Sequence, residues 1–144
     1  KVVIDIYMLK GIEHSLLRVR KIGDAYEITK KETINTDVGK NRIEHTIKLT
    51  PEEYAALATV DGMRIAKTRY YYEEGGVLYE VGVYAEDLKG LVIIDVEFKS
   101  EEAMNAFVPP PWLLVEVSSE KSLRAGMLCG KSYADVEPAL TRLG

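Results

Sequence analysis

Two basic pairs, Arg18-Val-Arg20 and Lys67-Thr-Arg69, and one acidic pair, Asp95-Val-Glu97, are the residues of this sequence whose types and spacing best suit chemistry. Each pair lies in a strand-like segment, where residues i and i+2 project to the same face. At about 7 Å and an effective dielectric of about 20, the members of each basic pair repel by about 2 kcal/mol. Facing water, that repulsion is screened and means little. Facing a shared cavity, it calls for a polyanion, and the neighbouring acidic pair calls for a metal ion.

The elements that would carry these pairs alternate in polarity. Val2–Met8 is a β-branched run and reads as a strand. Segments 16–21 and 26–32 alternate about a Gly23-Asp24 turn, and 42–49 alternates after a polar stretch, 35–41, that reads as a loop. Thr50-Pro51-Glu52-Glu53 opens a helix with a capping box. Segments 64–72 and 78–84 form a hairpin about Glu73-Glu74-Gly75-Gly76, and 91–98 is a hydrophobic strand. Ser100 caps a short helix through Phe107, closed by Pro109–Pro111. Segment 114–117 reads as a last strand, and 119–129 and 135–143 as helices.

Within these strands the ionisable residues fall on one parity. Arg18 and Arg20 oppose Leu17 and Val19; Lys31 shares a parity with Glu27 and Thr29; Glu44 and Thr46 oppose Ile43, His45 and Ile47. Lys67 and Arg69 oppose Ala66, Thr68 and Tyr70; Glu80 and Gly82 oppose Tyr79, Val81 and Val83; Asp95 and Glu97 oppose Ile94, Val96 and Phe98. Polar-out alternation is the default of antiparallel sheets, so a solvated charged face is the simplest account. Helices covering the apolar faces would instead leave a polar interior in a wide barrel. The local hairpins give an α+β class: an antiparallel sheet, expected to close into a β-barrel with a charged lumen and helices packed outside it. A two-layer sandwich is the alternative.

Size and composition set the outer bounds. The 144 residues fit one domain, 1–144, and 47% hydrophobic with 29% charged residues is an ordinary globular composition. A net charge of −4 disfavours nonspecific binding to nucleic acid or an acidic membrane, so an anion site must be a local concentration of Lys and Arg. One cysteine, Cys129, excludes an internal disulfide, suits a cytoplasmic location and reads as a buried apolar residue. His14 and His45 lack metal-type spacing to Cys129, and the parity of His45 suggests a core or helix-facing residue. Tyr70-Tyr71-Tyr72 could stack bases, but its members split between faces and packing accounts for them better. Lys131 lacks the upstream glycines of a phosphate-binding loop, and Trp112 after three prolines reads as a structural plug.

The strings LLRVRKIGDAYEITKK, RIEHTIKLTPEEYAAL, KTRYYY, LYEVGVY, LKGLVIIDVEF, PWLLVEV and LCGKSY, in this order over nearly the whole chain, resemble the CYTH superfamily of triphosphate tunnel metalloenzymes. That resemblance implies an eight-stranded antiparallel tunnel with inward-pointing charges. It implies Arg18, Arg20, Lys31, Lys67 and Arg69 as phosphate-binding residues, with Lys30 the less favoured alternative to Lys31. Glu44, Glu80, Asp95 and Glu97 would be the acidic residues facing a Mg²⁺ or Mn²⁺ ion.

The implied activity is metal-dependent hydrolysis of inorganic tripolyphosphate or of an organic or nucleoside triphosphate. Polyphosphate or nucleotide binding without turnover and adenylate cyclisation are the alternatives. Asp95 stands where the family usually has glutamate, a shorter carboxylate that keeps the charge, and three departures matter more. The N-terminal Glu-x-Glu-x-Lys strand is absent from this sequence, which begins at Lys1; Thr46 replaces the second acid of a Glu-x-Glu pair; Gly82 replaces the aspartate of a Glu-x-Asp pair. A missing strand leaves a sheet edge, which a truncated sequence, an altered tunnel or a homodimer contact would each explain.

Overall fold

The computed structural model describes residues 1–8, 16–36 and 39–144. His14 lies outside the described residues. The order is β1 (Val2–Met8), β2 (Leu17–Ile22), β3 (Ala25–Thr36), β4 (Gly39–Leu49), α1 (Pro51–Leu57), β5 (Gly62–Glu74), β6 (Val77–Tyr84), β7 (Val92–Glu97), α2 (Glu101–Asn105), α3 (Ala125–Leu128) and α4 (Tyr133–Leu143). Two further single turns are 3₁₀ helices, Glu86–Leu88 and Lys121–Leu123. Among the described residues no helix is long and apolar enough to cross a membrane.

The seven strands form one antiparallel sheet in the order β4-β3-β2-β1-β5-β6-β7, which gives the α+β class expected. Hydrogen-bonded pairing leaves β4 and β7 at the two ends, so no ladder among the described residues closes the sheet into a barrel. The turns follow from residue type. Gly23 at the β2–β3 hairpin, and Gly75 and Gly76 at the β5–β6 hairpin, all take positive φ, the conformation that two-residue hairpin turns require. Thr50 accepts from the Glu53 amide while the Glu53 carboxylate accepts from the Thr50 amide, completing the capping box of α1.

Local expectations are corrected in four places. The polar stretch 35–41 is mostly strand, because the β3–β4 ladder continues through Asn35↔Lys40 to Thr36↔Gly39. Segment 114–117 is not a strand: three prolines precede it, and Leu114 is 94% exposed. The helix expected over 119–129 splits into the Lys121–Leu123 turn and α3. His45 shares its face with Ile43 and Ile47 but is exposed on edge strand β4, where it meets Glu32 at 3.4 Å.

The helices also divide between the two sides. Helix α1 packs outside, with the Tyr54 ring against Tyr26 at 5.0 Å. The segment after α2 covers the same side at β5 and β6, where Trp112 meets Tyr79 and Tyr72 edge-on and Phe107 lies near Tyr79. The C-terminal helices do not pack outside. Leu123, Leu128, Cys129 and Val136 cluster with Tyr7, Ile65 and Tyr84, which the strand register puts on the same face as Arg18 and Lys67. The reason lies in the end of that face formed by Tyr7, Met63, Ile65, Tyr84 and Ile93. It is apolar, and apolar helix faces cover it. Leu128 is fully buried there. Leu128→Ala is expected to lower unfolding free energy by about 2–5 kcal/mol in urea titrations; unchanged stability would contradict this anchorage.

Candidate anion-binding face

Cross-strand partners share a face, so the register tests the parity argument directly. Arg18 pairs with Tyr7 and Thr29, Arg20 with Asp5 and Glu27, and Lys31 with Glu44. Lys67 pairs with Val3 and Tyr84, Arg69 with Gly82, and Glu80 with Asp95. Every candidate phosphate or metal residue therefore occupies one face of one sheet. They also form a diagonal. Moving from β4 to β7, the charged positions advance along the ladder: Glu44, Lys31, Arg18 and Arg20, Asp5, Lys67 and Arg69, Glu80, then Asp95 and Glu97. In a closed barrel, with tilted and staggered strands, such a diagonal runs across the barrel axis; here neighbours along it meet as Lys31–Glu44, Arg20–Asp5 and Arg69–Glu80.

Burial decides between a lumen and a solvated face. Arg18 is 8% and Arg20 9% exposed, while Val2 and Ile47 on the opposite face are 53% and 65% exposed. Val19 and Tyr79 on that opposite face are buried as well, so both faces are covered near the middle of the sheet, and a buried arginine pair there favours a concave charged side. Thr29, on the same face, is fully buried and shares a 2.9 Å hydrogen bond with Thr46.

The cations differ in their local partners. Arg20 donates from Nε and Nη2 to the two carboxylate oxygens of Asp5, at 2.6 and 2.7 Å. Lys31 meets Glu44 at 3.3 Å, and Arg69 meets Glu80 at 3.5 Å. Arg18 Nε is buried without a hydrogen-bond partner among the described residues. Lys67 carries its ammonium 5.3 Å from the Tyr84 ring centre. Burial, and next the Arg69 charge, push the Lys67 pKa down. Burial chiefly, with Asp5 or Asp95 second, raises Tyr7 and Tyr84 and keeps both phenols protonated.

The acidic half is sparser. Glu80 and Asp95 face each other on β6 and β7, Glu97 lies one step beyond on the same face, and Glu44 stands at the far end of the strand order with Lys31. Among the described residues no three Asp, Glu, His or Cys side chains gather to hold a metal ion. A Cβ at Gly82 would lie 3.3 Å from Lys67 Cδ, so the lysine stem fills the space beside Glu80. These donors do not form a self-sufficient metal cage. An all-oxygen pair such as Glu80 and Asp95 fits a hard divalent cation that takes one or two carboxylates and draws its other ligands from elsewhere.

Asp5, Tyr7, Thr29 and Tyr84 belong to the face without being singled out by spacing. The signal for Asp5 was available: a lone carboxylate in an apolar strand is buried only with a partner. Cys129 is buried as expected, its pKa raised mainly by burial. Tyr71 faces the charged side, while Tyr72 packs on Tyr79 on the other, so the tyrosine run splits as expected.

No model of a known protein family matches the chain. An inorganic triphosphatase of Nitrosomonas europaea is 37% identical to it over 117 residues, spanning 80% of this chain and 75% of that protein. A crystal structure of the inorganic triphosphatase NE1496 is similar at a TM-score of 0.64 and 30% identity, covering 88% of this chain and 82% of that one. A second, described as the hypothetical protein NE1496, gives 0.67 and 29% over 91% and 85% of the two chains. With a relative of that identity and coverage, and with solved structures of similar fold, the chain belongs to the inorganic triphosphatase family.

Proposed function

We propose that this chain hydrolyses a triphosphate, inorganic tripolyphosphate or an organic triphosphate, on the concave face of a CYTH-type sheet. The observation that carries this reading is the buried Arg18 guanidinium, whose Nε lacks a protein partner among the described residues on a face crowded with cations. An unpaired buried donor costs about 1–3 kcal/mol, and a phosphate oxygen would satisfy it. Arg18, Arg20, Lys31, Lys67 and Arg69 supply the positive field. The arginines suit bidentate phosphate contact and the lysines act as point charges.

Hydrolysis of tripolyphosphate adds water across one terminal P–O–P bridge and yields pyrophosphate and phosphate. The protein's part is to hold the chain extended along the diagonal, neutralise charge on the transferred group and exclude bulk water. Arg69, held by Glu80, joins the cationic stripe to the acidic end. When bound, Mg²⁺ or Mn²⁺ would neutralise phosphate charge between Glu80, Asp95 and Glu97, with Glu44 at the other end of the diagonal.

A second reading, polyphosphate binding without turnover, is favoured by Gly82 and Thr46, which leave the acidic half short of oxygen ligands. Phosphate release from tripolyphosphate, ATP and thiamine triphosphate, with Mg²⁺ and with EDTA, separates the two. Release from any of them that EDTA abolishes is expected. Binding without release would leave the second reading.

Arg18→Ala and Arg69→Ala are each expected to weaken tripolyphosphate binding about 10- to 100-fold by calorimetry, the loss of one charge-assisted contact, with an unchanged circular dichroism spectrum. Unchanged affinity in both variants would contradict the site. Lys67 adds a pH dependence. Its pKa is lowered by burial, so the free site loses this cation before pH reaches the ordinary lysine value of 10.5. Affinity is expected to fall as pH rises through that lowered value, and Lys67→Gln should flatten the fall. Folding responds in the opposite sense. The unfolded chain holds that proton more tightly, so the Lys67 contribution to stability rises with pH over the same window.

A further inference from the structure

We propose that Asp5 is a specificity-determining residue, an internal anion that ties up the side-on edge of Arg20, cancels its charge and matches the face to a short phosphate chain. This rests on the triphosphate reading above. Asp5 is the acidic member of the diagonal contributed by β1, between Arg20 on β2 and Ile65 on β5. It is 2% exposed, and both of its oxygens accept from the Nε–Nη2 edge of Arg20. That is the side-on edge of the guanidinium, so Arg20 keeps only its three end-on N–H groups, polarised by Asp5, for a phosphate.

The three carboxylates paired with the cationic stripe are not equivalent. Glu44 is about half exposed and meets Lys31 through single atoms; Glu80 meets Arg69 at 3.5 Å. Those contacts are long and can yield to a ligand. The Asp5 contact is short, bidentate and buried, and breaking it would strand a buried carboxylate. Arg20 therefore stays with Asp5 and meets a phosphate only end-on as a neutralised pair, while the full cationic contacts fall to Arg18, Lys31, Lys67 and Arg69. The pair contributes no net charge, so the face presents one positive charge fewer than its basic residues suggest. A longer, more highly charged chain gains least from such a face.

The test is calorimetric titration of the full chain with inorganic tripolyphosphate and tetrapolyphosphate, without added divalent ion, so that turnover does not consume ligand. Asp5→Asn is expected to bind tripolyphosphate about tenfold tighter or more and to gain further for tetrapolyphosphate, because Arg20 is released and a repelling charge is gone. Its unliganded melting temperature should fall, and tripolyphosphate should raise it by more than in the wild type. Arg20→Gln should bind more weakly, since Asp5 is then uncompensated.

The double variant D5N/R20Q, which replaces the ion pair by a neutral hydrogen-bonding pair, should return to within about threefold of the wild type. A purely structural Asp5 would lower the melting temperature but leave the affinity, the chain-length preference and the ligand-induced shift unchanged, which would overturn the proposal. If D5N does not fold, a double variant binding as weakly as R20Q overturns it equally. Wild-type binding that is sensitive to Arg18→Ala but indifferent to Asp5 refutes the role of Asp5 alone. No wild-type binding of either polyphosphate refutes the triphosphate reading with it.

Discussion

Mutual repulsion among buried cations is the constraint on which this structure depends. Five Lys and Arg side chains from three strands project to one concave face, and two of the arginines are almost fully withdrawn from water. Burying like charges at close range is unfavourable in both desolvation and Coulomb terms. The fold tolerates it because the charges are spread along a diagonal rather than stacked in a row, and because acidic residues occupy places on the same line. Asp5 neutralises the most crowded part from β1, while Glu44 and Glu80 temper the two ends.

The remaining architecture follows from keeping that face concave and partly dry. A flat sheet would leave its arginines in water, where they would have little electrostatic influence on a bound anion. Curling the sheet turns its apolar side outward, which explains the position of α1 and of the aromatic cluster of Tyr72, Tyr79, Phe107 and Trp112. At one end the inner face changes from charged to apolar, and the C-terminal helices settle there on Tyr7, Ile65 and Tyr84. They cover the face at Tyr7 and Tyr84, the cross-strand partners of Arg18 and Lys67. The C-terminal helices and the charged face thereby share two residues, Tyr7 and Tyr84.

The acidic end contrasts with this crowding. Glu80 and Asp95 face one another without a third carboxylate close enough to complete a cation site among the described residues. Gly82, opposite Arg69, leaves room that the Lys67 stem occupies. A lysine lying beside the position of a missing carboxylate shifts the balance of the face toward the anion and away from a free metal ion.

The alternation of each strand determined which residues share a face, because successive side chains of a strand point to opposite sides whatever the surroundings. Arg18 with Arg20, Lys67 with Arg69, and Asp95 with Glu97 were legible for that reason, as were the glycine turns and the Thr50 capping box, whose causes are local. Sequence could not say which of the two faces was concave. That depends on the coiling of the whole sheet and on what covers each side, and it placed Arg18 inside and Ile47 outside. Nor could it bring Asp5 to Arg20: the two lie on different strands, and only the β1–β2 register makes them partners. The C-terminal helices were misplaced for the same reason. Their apolar faces fit either side of the sheet, and tertiary packing alone selected the end of the charged face where Tyr7, Ile65 and Tyr84 offered an apolar floor.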